Sequence, residues 1–112
     1  MFIRFYEYNV TPNYDDKNEY GLCVKFGQVY INGNKCLDKE KAATIINLCN
    51  EKFVTAVKLA EEENHPYRGG RQRLLTMSVG AKRIELCASG TNEAVRDFYN
   101  NFRREIEQIL SK

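Results

Sequence analysis

Along two stretches of the chain, apolar residues recur at intervals of three and four. In the first, Ala42, Ile45, Ile46, Cys49, Phe53, Ala56, Val57 and Ala60 form one continuous stripe, which predicts an amphipathic helix. Asp38 stands where an N-cap belongs, and the helix must stop near Asn64-His65-Pro66 because proline disfavours the α conformation in the residue before it. From Asp38 to Glu63 such a helix would reach about 40 Å at 1.5 Å per residue. In the second stretch, Val95, Phe98, Tyr99, Phe102, Ile106, Ile109 and Leu110 repeat the pattern, with Thr91 or Asn92 as the cap. Glu93 then falls in the first turn, where the helix dipole favours a carboxylate. The other face carries Arg96, Asp97, Arg103, Arg104, Glu105 and Glu107, a mixture of signs that reads as a solvated surface.

Elsewhere the period is two. Leu75, Met77 and Val79 alternate with polar residues, Gly80-Ala81 can turn, and Ile84 and Leu86 alternate on the way back. If Val79 pairs with Lys82, Met77 lies opposite Ile84 and Leu75 opposite Leu86, and all four share one face. An earlier hairpin has Tyr20, Leu22, Val24 and Phe26 alternating, a turn expected at Gly27-Gln28, and Val29 and Ile31 returning on the same face. Asn32-Gly33 is a type I′ turn signal, after which Lys35-Cys36-Leu37 can add a short strand. Phe2 to Asn9 is rich in β-favouring residues and predicts a further strand. There, Phe2, Tyr6, Tyr8 and Val10 take one side while Ile3 and Phe5 take the other, so both sides are partly apolar and one helical layer cannot cover them. The order β-β-β-(β)-α-β-β-α predicts an α+β fold in two layers. An antiparallel sheet of four to five strands carries two amphipathic helices on one face, and residues 1–112 make a single domain.

Composition narrows the function. With 112 residues, 43% of them hydrophobic and 29% charged, the chain has the make-up of a small globular protein. The net charge of +2 favours no class of partner, so any electrostatic signal must be local. No stretch approaches the roughly 18 to 20 apolar residues of a membrane helix. The start of the sequence lacks the basic and apolar regions of a secretory leader, which leads us to expect a cytoplasmic protein with no membrane partner. In a reducing compartment Cys23, Cys36, Cys49 and Cys87 are expected as free thiols packed like small hydrophobes. None of them forms a C-x-x-C pair, and His65 is not near any of them in sequence, so no metal or other cofactor is expected.

Catalytic chemistry finds little footing. His65, the only histidine, sits in a post-helix turn with nothing in the sequence to place a nucleophile beside it. Asp15-Asp16 lie in a turn-rich loop without the ligand spacing of a calcium site, and Glu61 to Glu63 read as a solvated helix end. Gly69-Gly70 belongs to neither a phosphate-binding G-x-x-x-x-G-K-[ST] loop nor a G-x-G-x-x-G turn. The chain is therefore expected not to be an enzyme.

The distinctive segment is His65 to Arg73. Between Asn64 and Ile84 stand Arg68, Arg71, Arg73, Lys82 and Arg83 with no acidic residue, and Tyr67 adds an aromatic. Such a Gly-flanked arginine loop can contact nucleic-acid phosphate, dock on an acidic protein surface, or serve as a solvated connector. The tyrosine-rich start either builds an aromatic core or presents a protein-binding patch, in which Tyr6 and Tyr8 are the candidates.

In size, single-domain α+β layout and lack of catalytic motifs, the chain resembles the small inhibitors carried by phages and mobile elements, anti-CRISPR proteins among them. That resemblance implies steric blockade of a host defence protein or mimicry of its ligand. The expectation is a non-catalytic protein-binding module, an inhibitor or accessory factor, with Tyr6, Tyr8, Tyr67, Arg68, Arg71, Arg73, Lys82 and Arg83 as partner-binding residues. The alternative is a nucleic-acid-binding module using the Arg68 to Arg73 loop with Lys82 and Arg83. A homodimer through the first strand or the spare aromatic face is a further expectation.

Overall fold

The computed structural model describes residues 1–10, 17–62, 70–88 and 93–112; for 8–10, 17–18 and 70–72 it describes the backbone alone. Its elements run β1 (Phe2–Val10), β2 (Lys17–Lys25), β3 (Gln28–Ile31), β4 (Asn34–Lys35), α1 (Lys39–Glu62), β5 (Gly70–Val79), β6 (Lys82–Cys87) and α2 (Glu93–Ser111). This is the expected order with the optional short strand included, and the fold is α+β with two helices on an antiparallel sheet.

The strands lie in the order β4-β3-β2-β1-β5-β6. The first strand is thus internal, bonded to β2 on one edge and to β5 on the other. Dimerisation through a free edge of β1 is closed off, because that edge is already used.

The β5–β6 hairpin has the register that alternation predicts: Val79 opposite Lys82, Met77 opposite Ile84, Leu75 opposite Leu86. Gly80 supplies the positive φ that the first position of its two-residue turn requires. At β2–β3 the turn lies one residue earlier than expected, at Phe26-Gly27, with Lys25 paired to Gln28. Phe26 is therefore not an alternating strand residue; it leaves the sheet at φ 52° and is 93% exposed. Asn32-Gly33 makes the predicted turn, both residues at positive φ. The strand after it is shorter and earlier than expected, ending at Lys35 before Cys36 and Leu37.

Asp38 caps α1 as expected, its Oδ1 accepting the amides of Glu40 (3.0 Å) and Lys41 (3.1 Å). The candidate caps Thr91 and Asn92 of α2 lie outside the described residues. Both predicted stripes face the sheet. Ala42, Ile45, Cys49 and Ala56 of α1 are buried, as are Val95, Phe98, Tyr99, Phe102 and Ile106 of α2. The helices run antiparallel, because Lys41 near the start of α1 donates from Nζ to the Leu110 carbonyl near the end of α2 (3.2 Å). That ammonium complements the negative C-terminal end of α2, whose own last turn has no basic residue. Farther along, Lys52 Nζ lies 3.0 Å from Glu105 Oε2 and 5.7 Å from the Phe98 ring centre. Glu105 Oε2 is buried and has no well-directed hydrogen bond, so the Lys52 ammonium is what offsets its charge.

At the centre, fully buried Phe5 of β1 meets Tyr99 and Phe102 edge-on at 5.3 Å each and Tyr20 at 6.1 Å. Tyr99 also donates from its hydroxyl to the Tyr6 carbonyl at 3.2 Å, fastening α2 to the same strand.

Phe5→Ala should cost about 3–5 kcal/mol in denaturant unfolding, since it removes ring pairs as well as buried volume. Lys52→Met alone should cost about 1–2 kcal/mol, because it leaves a partly buried carboxylate without its cation. The double variant Lys52→Met/Glu105→Met should recover part of that loss, and a double-mutant cycle measures how much.

Candidate functional site

Both helices sit on one face of the sheet, the face that carries Ile3, Phe5, Leu22, Val29, Leu75, Met77, Ile84 and Leu86. Because side chains alternate along a strand, the residues between these point to the other face. The ladder registers order them in rows across that face. One row runs Lys35, Tyr30, Cys23, Phe2, Ser78, Arg83; the next runs Gly21, Arg4, Thr76, Glu85; a third runs Glu19, Tyr6, Leu74, Cys87. Among the described residues no element covers them.

This open face mixes apolar and charged positions: Phe2 and Tyr6 flank Arg4 on the central strand, and Glu19, Lys35, Arg83 and Glu85 lie to either side. Phe2 is 54% exposed, while Tyr6, Cys23, Tyr30, Leu74 and Cys87 are half-buried. Arg4 Nη1 bonds Glu19 Oε1 at 2.9 Å, and Arg83 Nη2 bonds Glu85 Oε1 at 3.0 Å. The Arg4 guanidinium is held above its ordinary pKa, first by its bond with Tyr6 and further by Glu19. An open depression of about 510 Å³ lies on this face, with Phe2, Arg4, Cys23, Tyr30 and Asn32 around it. Gly21 is among its lining residues, and a clasp fixes that part of it: Gly21 N–H donates to Asn32 Oδ1 (2.8 Å) and Asn32 N–H donates to the Gly21 carbonyl (2.9 Å). A Cβ on Gly21 would meet nothing closer than 3.9 Å, so the glycine leaves the depression open without being sterically required.

One end of the face has a further character. The described chain exposes four large hydrophobics: Phe2 (54%), Phe26 (93%), Leu37 (84%) and Val54 (58%). The first three belong to the same end of the sheet. Phe2 begins β1, and Met1 exchanges backbone bonds with Val24 just before the Phe26-Gly27 turn. Cys36 bonds the Val29 carbonyl, which brings Leu37 back toward that same turn.

Of the predicted contact residues, only Tyr6, Arg73, Lys82 and Arg83 have described side chains, and these four are not gathered into one patch. Tyr6 and Arg83 lie on the open face. Arg73 belongs to the helix side, 3.8 Å from the Glu7 carboxylate and 3.5 Å from Asn100 Oδ1. Lys82 is exposed at the start of β6. Tyr8 and Arg71 occupy register positions in β1 and β5, opposite Gln72 and Asn9 respectively, but their side chains lie outside the description. Tyr67 and Arg68 lie outside the described residues, as do His65, Glu63 and the Asp15-Asp16 pair. Arg73 and Arg83 point to opposite faces, so those two do not contribute to one basic stripe.

Sequence reasoning missed Phe26 and Leu37. Phe26 was placed in a strand because it continued an alternation, and the signal that could have found it was the glycine after it, which favours a turn one residue earlier.

Burial pushes the Cys49 thiol up to about 12, the opposite of what a nucleophilic thiolate needs. Burial likewise raises the Tyr99 and Tyr20 phenols, keeping both protonated at neutral pH. Among the described residues no group of three His, Cys, Asp or Glu side chains is placed to hold a metal ion. Nor is any described helix long and apolar enough to cross a membrane. Compared with protein-family models, with curated proteins and with solved structures, the chain shows no significant match.

Of the four free thiols, Cys49 should react last with a disulfide reagent at mild alkaline pH, and it should modify at the rate of unfolding. Since its native pKa lies above the ordinary thiol value of 9.0, its contribution to stability is present below that pH and fades as pH rises toward about 12.

Proposed function

We propose that the chain is a non-catalytic protein-docking module whose contact surface is the open face of the sheet, with the exposed Phe2–Phe26–Leu37 end as its apolar anchor. It acts by steric occupation of a partner protein, as an inhibitor or accessory factor does.

Phe26 carries this reading. A bulky side chain at positive φ is conformationally unfavourable by about 1 kcal/mol or more. The type I′ geometry of a two-residue hairpin favours Asn or Gly there, as Asn32-Gly33 illustrates in the same molecule. The aromatic ring gains no burial in return, being 93% exposed. A strained and exposed aromatic that folding does not need is what a binding anchor would look like, since aromatic anchors dominate protein interfaces. The mixture of charge favours a protein partner over nucleic acid: Lys25 and Lys35 are exposed on the open face, but Arg4 and Arg83 are each bonded to a carboxylate there.

Phe26→Asn separates function from folding. The variant should be as stable as the native chain, or more stable by a few tenths of a kcal/mol to about 1 kcal/mol, because Asn-Gly suits the turn. Its affinity for the partner should fall at least tenfold, a loss typical of an interface anchor. The measurement is quantitative pull-down from nuclease-treated and untreated host lysate, with Phe26→Asn, Gly21→Val and a helix-face control, Glu51→Ala, side by side. A protein retained by wild type and control, and lost by the two sheet variants, supports the reading. Retention by wild type and all three variants, or recovery of nucleic acid that nuclease removes, overturns it.

A further inference from the structure

The two edges of the sheet are unequal. At one edge β4 is only two residues long, too short to template another strand. At the other, β6 runs six residues, Lys82–Cys87, with an unbroken register to β5, no proline and no bulge. Among the described residues no strand pairs with its outer side.

The outward groups can be identified. Ala88 N–H donates to the Arg73 carbonyl at 2.8 Å, so residue 88 bonds inward to β5. In an antiparallel ladder inward and outward bonding alternate, so Ile84 and Leu86 also bond inward, while Arg83, Glu85 and Cys87 aim their amides and carbonyls outward. These outward residues include one cation and one anion, two positions apart and on the open face.

We propose that β6 pairs with β6 of a second copy of this chain, antiparallel about a two-fold axis at Ile84, joining two six-stranded sheets into one. About that axis Arg83 lies opposite Glu85 of the second copy, and Glu85 opposite its Arg83. Both residues bond outward, so each opposed pair exchanges main-chain hydrogen bonds as well as opposite charge. The interface is isologous, as a two-fold requires. The alternative axis at Glu85 would set two carboxylates against each other and is disfavoured for that reason. The pairing does not depend on the docking face and leaves it open on both copies.

Sedimentation equilibrium over a concentration series up to millimolar tests the proposal, with circular dichroism to confirm folding. Wild type should reach twice the 13.0 kDa protomer mass. Glu85→Pro removes an amide that points away from β5, a place where an edge strand tolerates proline, and should leave a folded monomer. Glu85→Arg should also be monomeric, since it opposes like charges, and the exchanged pair Arg83→Glu/Glu85→Arg should dimerise again. A wild-type chain that stays monomeric throughout the series overturns the proposal. So does a dimer that Glu85→Arg leaves intact, or a charge exchange that fails to restore association.

Discussion

Strand β1 is bonded along both edges and carries apolar side chains on both faces, and one helical layer satisfies only one of them. On the helix side Phe5 is fully buried, held edge-on by Tyr99 and Phe102. On the other side Phe2 stays 54% exposed and Tyr6 half-buried. Pairing β1 with β5 closes a long stretch of chain, an entropic cost that must be offset by the aromatic cluster the pairing creates. The same event fixes the edges, because a strand with two partners leaves β4 and β6 as the ends of the sheet. The uncovered face and the exposed edge are therefore consequences of where the first strand goes.

Most of the local structure was legible in the sequence. The β5–β6 register followed from a two-residue turn and from alternation, which admits a slip of one residue only by turning every apolar side chain outward. Asp38 and the α1 stripe were legible because capping and helical period are local. Strand order was not, because nothing in β1 says that its second neighbour is the distant β5 and not a later hairpin. The site was legible in part. The double apolar character of the first strand announced a face that helices would not cover, and Tyr6 does lie there. For the basic residues, sequence proximity of Arg73 and Arg83 hides the ladder parity that sends these two to opposite faces, one toward Glu7 and one toward Glu85.

Parity also decides what the charges can do. On the open face each described arginine is bonded to an acid, while Lys25 lies over the Tyr30 ring and Lys35 is exposed in the same row, so charge of both signs is interspersed with apolar side chains. Thr76 shows how tightly the middle of that face is closed. It is only 7% exposed although no layer of the described residues lies over it, standing in register between Arg4 and Glu85. Such a mixture is what the proposed protein partner would meet, whereas nucleic-acid binding draws on uncompensated cations along the phosphate backbone.

The molecule contains its own control for the anchor. Two hairpin turns share one backbone geometry, both central residues at positive φ. At Asn32-Gly33 the residue type suits the turn, and the side chain is used: its Oδ1 accepts the Gly21 amide and closes the clasp beside the depression. At Phe26-Gly27 the residue type opposes the turn, and the ring is left in solvent. Folding pressure alone would bring both turns to the same solution, since an asparagine costs nothing at the second site that it does not cost at the first. The proposed docking role of Phe26 would account for the difference between them. The exposed Phe2 and Leu37 lie at the same end of the sheet as that turn, so the three side chains would act together.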